Sequence, residues 1–117
     1  MLRVTIWYPA PDTAPTQSID IGPPDNILFE LGTIAPDAPF AATGRRPVIL
    51  LSHGFGGAAR VMIWFARAMV DRGYIVVGVD HPGNNGIDQM TENGAALWWE
   101  RAADLKTALD TALTDPV

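Results

Sequence analysis

The chain has 117 residues, of which 48% are apolar and 18% charged, with a net charge of −5 and no cysteine. That balance is the balance of a globular protein, and the length suits one small domain. It excludes disulfides, thiolate metal sites and a cysteine nucleophile, and an acidic chain whose only basic pair is Arg45-Arg46 lacks the gathered cations that nucleic-acid binding needs.

The two histidines, His53 and His81, form no metal set with any carboxylates that spacing groups, so no metal is expected. No stretch approaches the ~18–20 apolar residues of a membrane helix. "MLRVTIWYPAPD" at the start has too short an apolar run, and prolines too early, for a signal peptide. None of this fixes the compartment, and localisation stays open.

"LRVTIWYPA" (2–10) alternates, with Leu2, Val4, Ile6 and Tyr8 on one face, and predicts a strand stopped by proline. Residues 11–43 shift to Pro, Asp, Ala, Thr and Gly. They predict an irregular connection, with "ILFEL" (27–31) as a short edge strand. "PVILL" (47–51) is a continuous apolar run, the pattern of a central parallel strand covered on both faces. Met62, Phe65, Ala66, Met69 and Val70 then fall on one helical stripe, with Met62 and Met69 as gap-fillers and Gly73 as the stop. "YIVVGVD" (74–80) predicts a second buried strand.

Strand, helix, strand with tight connections is a βαβ unit and implies a parallel sheet. "HPGNNGIDQMTENGA" (81–95) is a polar loop, in which Asn93 is a candidate N-cap. "ALWWERAADLKTALDTAL" (96–113) predicts a helix whose apolar face runs through Trp98, Ala102, Leu105, Leu109 and Ala112, with one of Trp98 and Trp99 supplying core and the other either core or the mouth of a site. Pro116 is expected to end that helix, and residues 46–113 form a βαβα unit.

In a parallel α/β sheet ligands sit beyond the carboxyl ends of the strands. Here those ends carry "SHGFGG" and "DHPGNN". Gly54, Gly56 and Gly57 allow unusual backbone angles and close approach, so the loop can turn its N–H groups toward an anion. Two anions fit: a bound phosphate, or the transient oxyanion of acyl transfer. No G-x-x-x-x-G-K-[ST] is present. Gly54-Phe55-Gly56 followed by Ala59 meets only the relaxed dinucleotide fingerprint, with Asp80 as the one acidic residue at a strand tip. A nucleotide-binding half-domain stays as an alternative. A local triad of Ser52, His53 and Asp80 is rejected, because adjacent residues on an extended strand point to opposite faces. His53 is expected to order its loop by hydrogen bonding, and Asp80 and His81 to close a βα turn.

"PVILLSHGFGGAARVMIWFARAMVDRGYIVVGVDHPGNN", with "VTIWYPA" before it and "ERAADLKTALDTAL" after it, resembles the N-terminal half of an α/β-hydrolase of the dienelactone hydrolase-like and platelet-activating-factor acetylhydrolase-like branch. The resemblance touches nearly the whole chain, least in 11–43. It implies an incomplete, mostly parallel sheet with flanking helices. It also implies a serine hydrolase acting on small carboxylic esters or lactones without a cofactor.

His53-Gly54-Phe55-Gly56-Gly57 matches that branch's HGxGG loop, which gives the Phe55 N–H the role of an oxyanion-hole donor and places His81 and Asn84 at the rim. The only serines are Ser18 and Ser52, and neither sits in the G-x-S-x-G elbow that carries the nucleophile in this fold. The resemblance therefore implies a fragment that ends before its nucleophile strand, exposes a sheet edge and lacks turnover of its own. A non-catalytic α/β fragment is the corresponding alternative.

Overall fold

The computed structural model describes residues 1–114. The expected helix stop at Pro116 lies outside them. The described residues form a mixed α/β structure with two small sheets. In chain order these are β1 (Arg3–Trp7), β2 (Gln17–Ile21), β3 (Phe29–Ile34), β4 (Val48–Ser52), a 3-10 turn (Ala59–Met62), α1 (Ile63–Val70), β5 (Ile75–Asp80), α2 (Glu92–Ala96) and α3 (Glu100–Thr114).

The main sheet has the order β1-β5-β4. β4 runs parallel to β5, from Val48 opposite Ile75 to Ser52 opposite Val79. β1 runs antiparallel to β5, so the sheet is mixed rather than mostly parallel. β5 is the central strand, with helices on both faces. On one face, Leu51, Val76 and Ala66 form a core with Trp7, Ile49, Met62, Phe65, Met69 and Val70, which is the helical stripe of α1 against the odd residues of β4. On the other face, Val77, Val79 and Ala108 gather Leu2, Val4, Ile6, Leu105 and Ala112.

The apolar run 47–51 corresponds to an edge strand rather than a central one. α3 packs over β5 and reaches β4, yet Val48 and Leu50 of β4 stay partly exposed. Val48 lines an open groove of about 800 Å³ together with Ile6, Tyr8, Val77, Leu109 and Leu113 among others. Apolar continuity reports what a strand can bury, not which neighbours are present to bury it.

The connection at 11–43 is also more ordered than expected. β2 and β3 pair antiparallel as a hairpin of their own, with a register shift at Ile19/Asp20. The turn between them is the Pro-Pro-Asp-Asn segment, where the Asn26 N–H donates to the Pro23 carbonyl. The expected edge strand at 27–31 begins two residues later, at Phe29.

α1 ends where the glycine rule places it. Gly73 has φ +95°, its N–H donates to the Val70 carbonyl, and the Tyr74 N–H donates to the Met69 carbonyl. That is the Schellman arrangement. The helix expected over 96–113 begins later, at Glu100, and a separate short helix, α2, lies in the expected loop before it. Thr91, not Asn93, caps α2 by accepting the Gly94 N–H on its hydroxyl. Leu97 then leaves helical geometry with ψ 57°. This break turns Trp98 and Trp99 outward, 69% and 57% exposed, so neither supplies the core expected of them. Ala108 is the fully buried residue of α3.

Candidate active site

The parallel register brings the two glycine-rich loops side by side at the carboxyl ends of β4 and β5. Residues 54–57 make a tight turn in which the Gly57 N–H donates to the Gly54 carbonyl at 2.9 Å. Gly56, at the third position, has φ +66°, which a side chain would resist. A Cβ on Gly57 would lie 3.1 Å from the Gly54 oxygen. The tightness of this turn, not flexibility, is what these two glycines provide.

Every element beneath the turn is tied down. Asn84 Oδ1 accepts the Gly56 N–H at 2.8 Å, and its Nδ2 donates to the Gly94 carbonyl at 3.0 Å. The Gly86 N–H donates to the Gly57 carbonyl at 2.7 Å. His53 is buried. Its Nε2 accepts the His81 backbone N–H at 3.1 Å, which leaves the proton on Nδ1, 2.6 Å from the Gly54 carbonyl. Arg101 of α3 donates to the His53 carbonyl from the other side.

Asp80 accepts the Ala59 N–H at 2.8 Å and lies 3.5 Å from the Arg3 guanidinium. It therefore bolts the start of the α1 segment to the tip of β5. Its burial and its two partners leave it no free oxygen for a ribose, which argues against the nucleotide alternative.

Two amides in the loop are left over. Among the described residues the N–H groups of Gly54 and Phe55 have no hydrogen-bond partner, while those of Gly56 and Gly57 are both engaged. The Phe55 ring is 72% exposed, so its position is set by backbone and not by packing. His81 and Asn84, expected at the rim, lie beneath the loop, 2% and 3% exposed. Their polar atoms serve it from inside. The cavity next to the strand tips is small, about 50 Å³, and is lined by His81, Pro82, Gly94, Leu97, Glu100, Arg101 and Asp104.

A second arrangement was not foreseen from the sequence. Ser52 Oγ lies 2.8 Å from His81 Nε2, and His81 Nδ1 lies 2.7 Å from Asp104 Oδ2. Arg101 Nη2 lies 3.3 Å from Ser52 Oγ. Burial pushes the His81 imidazole below its ordinary pKa, against the Asp104 hydrogen bond, with nearby Arg101 adding to the depression.

The rejected grouping of Ser52 with His53 and Asp80 does not form, since each of those two is committed elsewhere. The signal for the real partners was the register itself. Ser52 sits opposite Val79, so the next residue on the same face of β5's path is His81. Asp104 adjoins Leu105, which faces that sheet face.

No family model, curated protein or solved structure matches this chain. Among the described residues no three His, Asp or Glu side chains group as a metal-ligand set, and no helix is long and apolar enough to cross a membrane.

Proposed function

We propose that this chain carries the oxyanion-stabilising part of a serine hydrolase that cleaves small carboxylic esters or lactones. The observation that supports the reading is the unpaired Phe55 N–H, held at the tip of β4 by a turn whose Gly56 and Gly57 amides are spent. A donor fixed before the reaction loses nothing to reorganisation when negative charge develops on a carbonyl oxygen, and removal of one such donor costs ~2.7–4 kcal/mol of barrier. The resemblance of "SHGFGG" and "GYIVVGVDHPGN" to the hydrolase branch supplies the reaction class. The mixed α/β order around β5 is compatible with it.

The test is backbone-specific. Phe55→Pro deletes the N–H, and is expected to lower kcat for p-nitrophenyl ester hydrolysis by ~10²–10³-fold in the protein that contains this chain. Phe55→Ala keeps the donor and should lose far less. Equal losses in the two variants, with thermal melts showing both folded, would remove the oxyanion role.

A further inference from the structure

We propose that Ser52 is a nucleophile in its own right, with His81 as its general base and Asp104 as the group that orients the base. The inference deepens the hydrolase reading and rests on it for the type of reaction. It stands on a continuous hydrogen-bonded relay, 2.8 Å from Ser52 Oγ to His81 Nε2 and 2.7 Å from His81 Nδ1 to Asp104 Oδ2. Nucleophilic catalysis requires this of a serine: a base in reach, and a third group fixing the tautomer of the base. Asp104 Oδ2 accepts a hydrogen bond from Nδ1–H, so Nε2 is left as the acceptor for the Ser52 hydroxyl.

The protein has gone some way to keep the relay intact. His81 is almost fully enclosed, whereas Ser52 at its outer end is exposed. Arg101 places a cation beside the hydroxyl. The groups facing His81 come from two places: His53 after β4, and Arg101 and Asp104 on α3. Burial, with Arg101 and His53 adding to it, outweighs the Asp104 hydrogen bond and leaves the imidazole below its ordinary pKa, which favours the neutral form a base needs.

In the reaction, Ser52 Oγ bonds to the acyl carbon while its proton passes to His81 Nε2. The carbonyl electron pair moves onto oxygen. Collapse of the tetrahedral adduct breaks the ester C–O bond, and the leaving alkoxide takes the proton from His81. Water then repeats the sequence and frees the acid. The substrate class is the small carboxylic ester of the proposed function.

The experiment uses the 117-residue chain, a fluorophosphonate probe and p-nitrophenyl acetate. Attack on the probe forms an Oγ–P bond and expels fluoride, leaving an adduct that mass spectrometry assigns to one of the two serines. The expected result is an adduct on Ser52 and none on Ser18. Ser52→Ala should lose both the adduct and acetate-ester turnover, and Ser18→Ala should keep both. Asp104→Asn should slow labelling by ~10²–10⁴-fold. The labelling rate of the unaltered chain should rise with pH through a single step below 7.

An unlabelled chain that is folded by circular dichroism overturns the proposal, as does turnover that survives in Ser52→Ala. If the protein containing this chain still hydrolyses esters in a Phe55→Pro-sensitive way, only the Ser52 assignment falls. If it hydrolyses none, the hydrolase reading falls with it.

Discussion

The loops after β4 and β5 are both glycine-rich and both polar, yet they spend their polar groups in opposite ways. The β5 loop turns inward. Asp80, His81, Asn84 and Asn85 are all buried, and each is hydrogen-bonded. Asn85 alone accepts the N–H groups of Ile87 and Asp88 and donates to the His81 carbonyl. The β4 loop turns outward, with an exposed phenylalanine and a free amide. Buried polar groups repay their desolvation only when paired, so the β5 loop is a fixed platform. The unpaired donor above it is free for a ligand. A strand-tip loop rich in polar residues is therefore not in itself a site; what counts is which donors remain after the structure has used the rest.

The comparison breaks most readily at Asp80. Its carboxylate is 3% exposed and accepts the Ala59 amide with Arg3 nearby. Asp80→Ala leaves that buried N–H unpaired and the guanidinium without one of its partners. The expected loss is ~2–3 kcal/mol of stability, from the usual worth of hydrogen bonds to charged groups. Urea denaturation measures it as a lower midpoint at unchanged slope. Asn84→Ala should cost ~1–2 kcal/mol for the same reason, because it strands the Gly56 N–H and the Gly94 carbonyl. It also frees a further amide in the β4 loop. An Asn84→Ala chain as stable as the original would mean that the platform does not hold the loop.

Gly56→Ala tests the turn itself. At φ +66° an alanine meets the left-handed penalty of roughly 1–2 kcal/mol. There is room for the methyl group, since the nearest atom to the added carbon is Met90 Cε at 3.8 Å. The cost is therefore conformational and not steric. A double variant with Phe55→Ala should show additive losses if the ring carries no packing.

Much of this frame was legible in the residues. Alternation in 2–10, the apolar runs at 47–51 and 74–80 and the stripe of α1 each report a local period, and local periods survive folding. Gly73 likewise announces a left-handed stop. The hairpin at 17–34 was hidden because its strands are mostly exposed and so carry little apolar alternation. The break at Leu97 was hidden because no proline or glycine marks it. What covers β4 is a matter of which elements stand beside it, and no window of sequence contains that.

The site divides in the same way. The free amide at 55 was readable from its flanking glycines. Ser52, His81 and Asp104 are 29 and 23 residues apart, and they meet only through strand register and the seating of α3.

A smaller, pH-dependent effect separates the two loops in solution. The folded state holds the His81 pKa below 6.5, so in the window just under 6.5 the unfolded chain binds the extra proton. Stability then rises with pH through that window. It is fully present above 6.5 and is lost as pH falls through the lower folded value. Urea midpoints measured between pH 8 and 5 should be flat at first and then decline. His81→Gln, which has no titrating group, should flatten the decline. An unchanged decline in that variant would place the titration elsewhere and return His81 to an ordinary buried side chain.

The smallest effect is expected at Phe55 itself. A ring 72% exposed contributes little to stability, and substitution at such a surface position usually stays within about 0.5 kcal/mol. Phe55→Ser should leave the urea midpoint nearly unchanged, because the turn is held by the Gly57–Gly54 bond and by Asn84, neither of which involves the ring. A loss comparable to that of Asn84→Ala would show that the ring is packed in solution. The β4 loop would then be braced from outside as well as from below, and its free amide would be covered by the phenylalanine that carries it. The contrast between a spent loop and an unspent one depends on that ring standing clear.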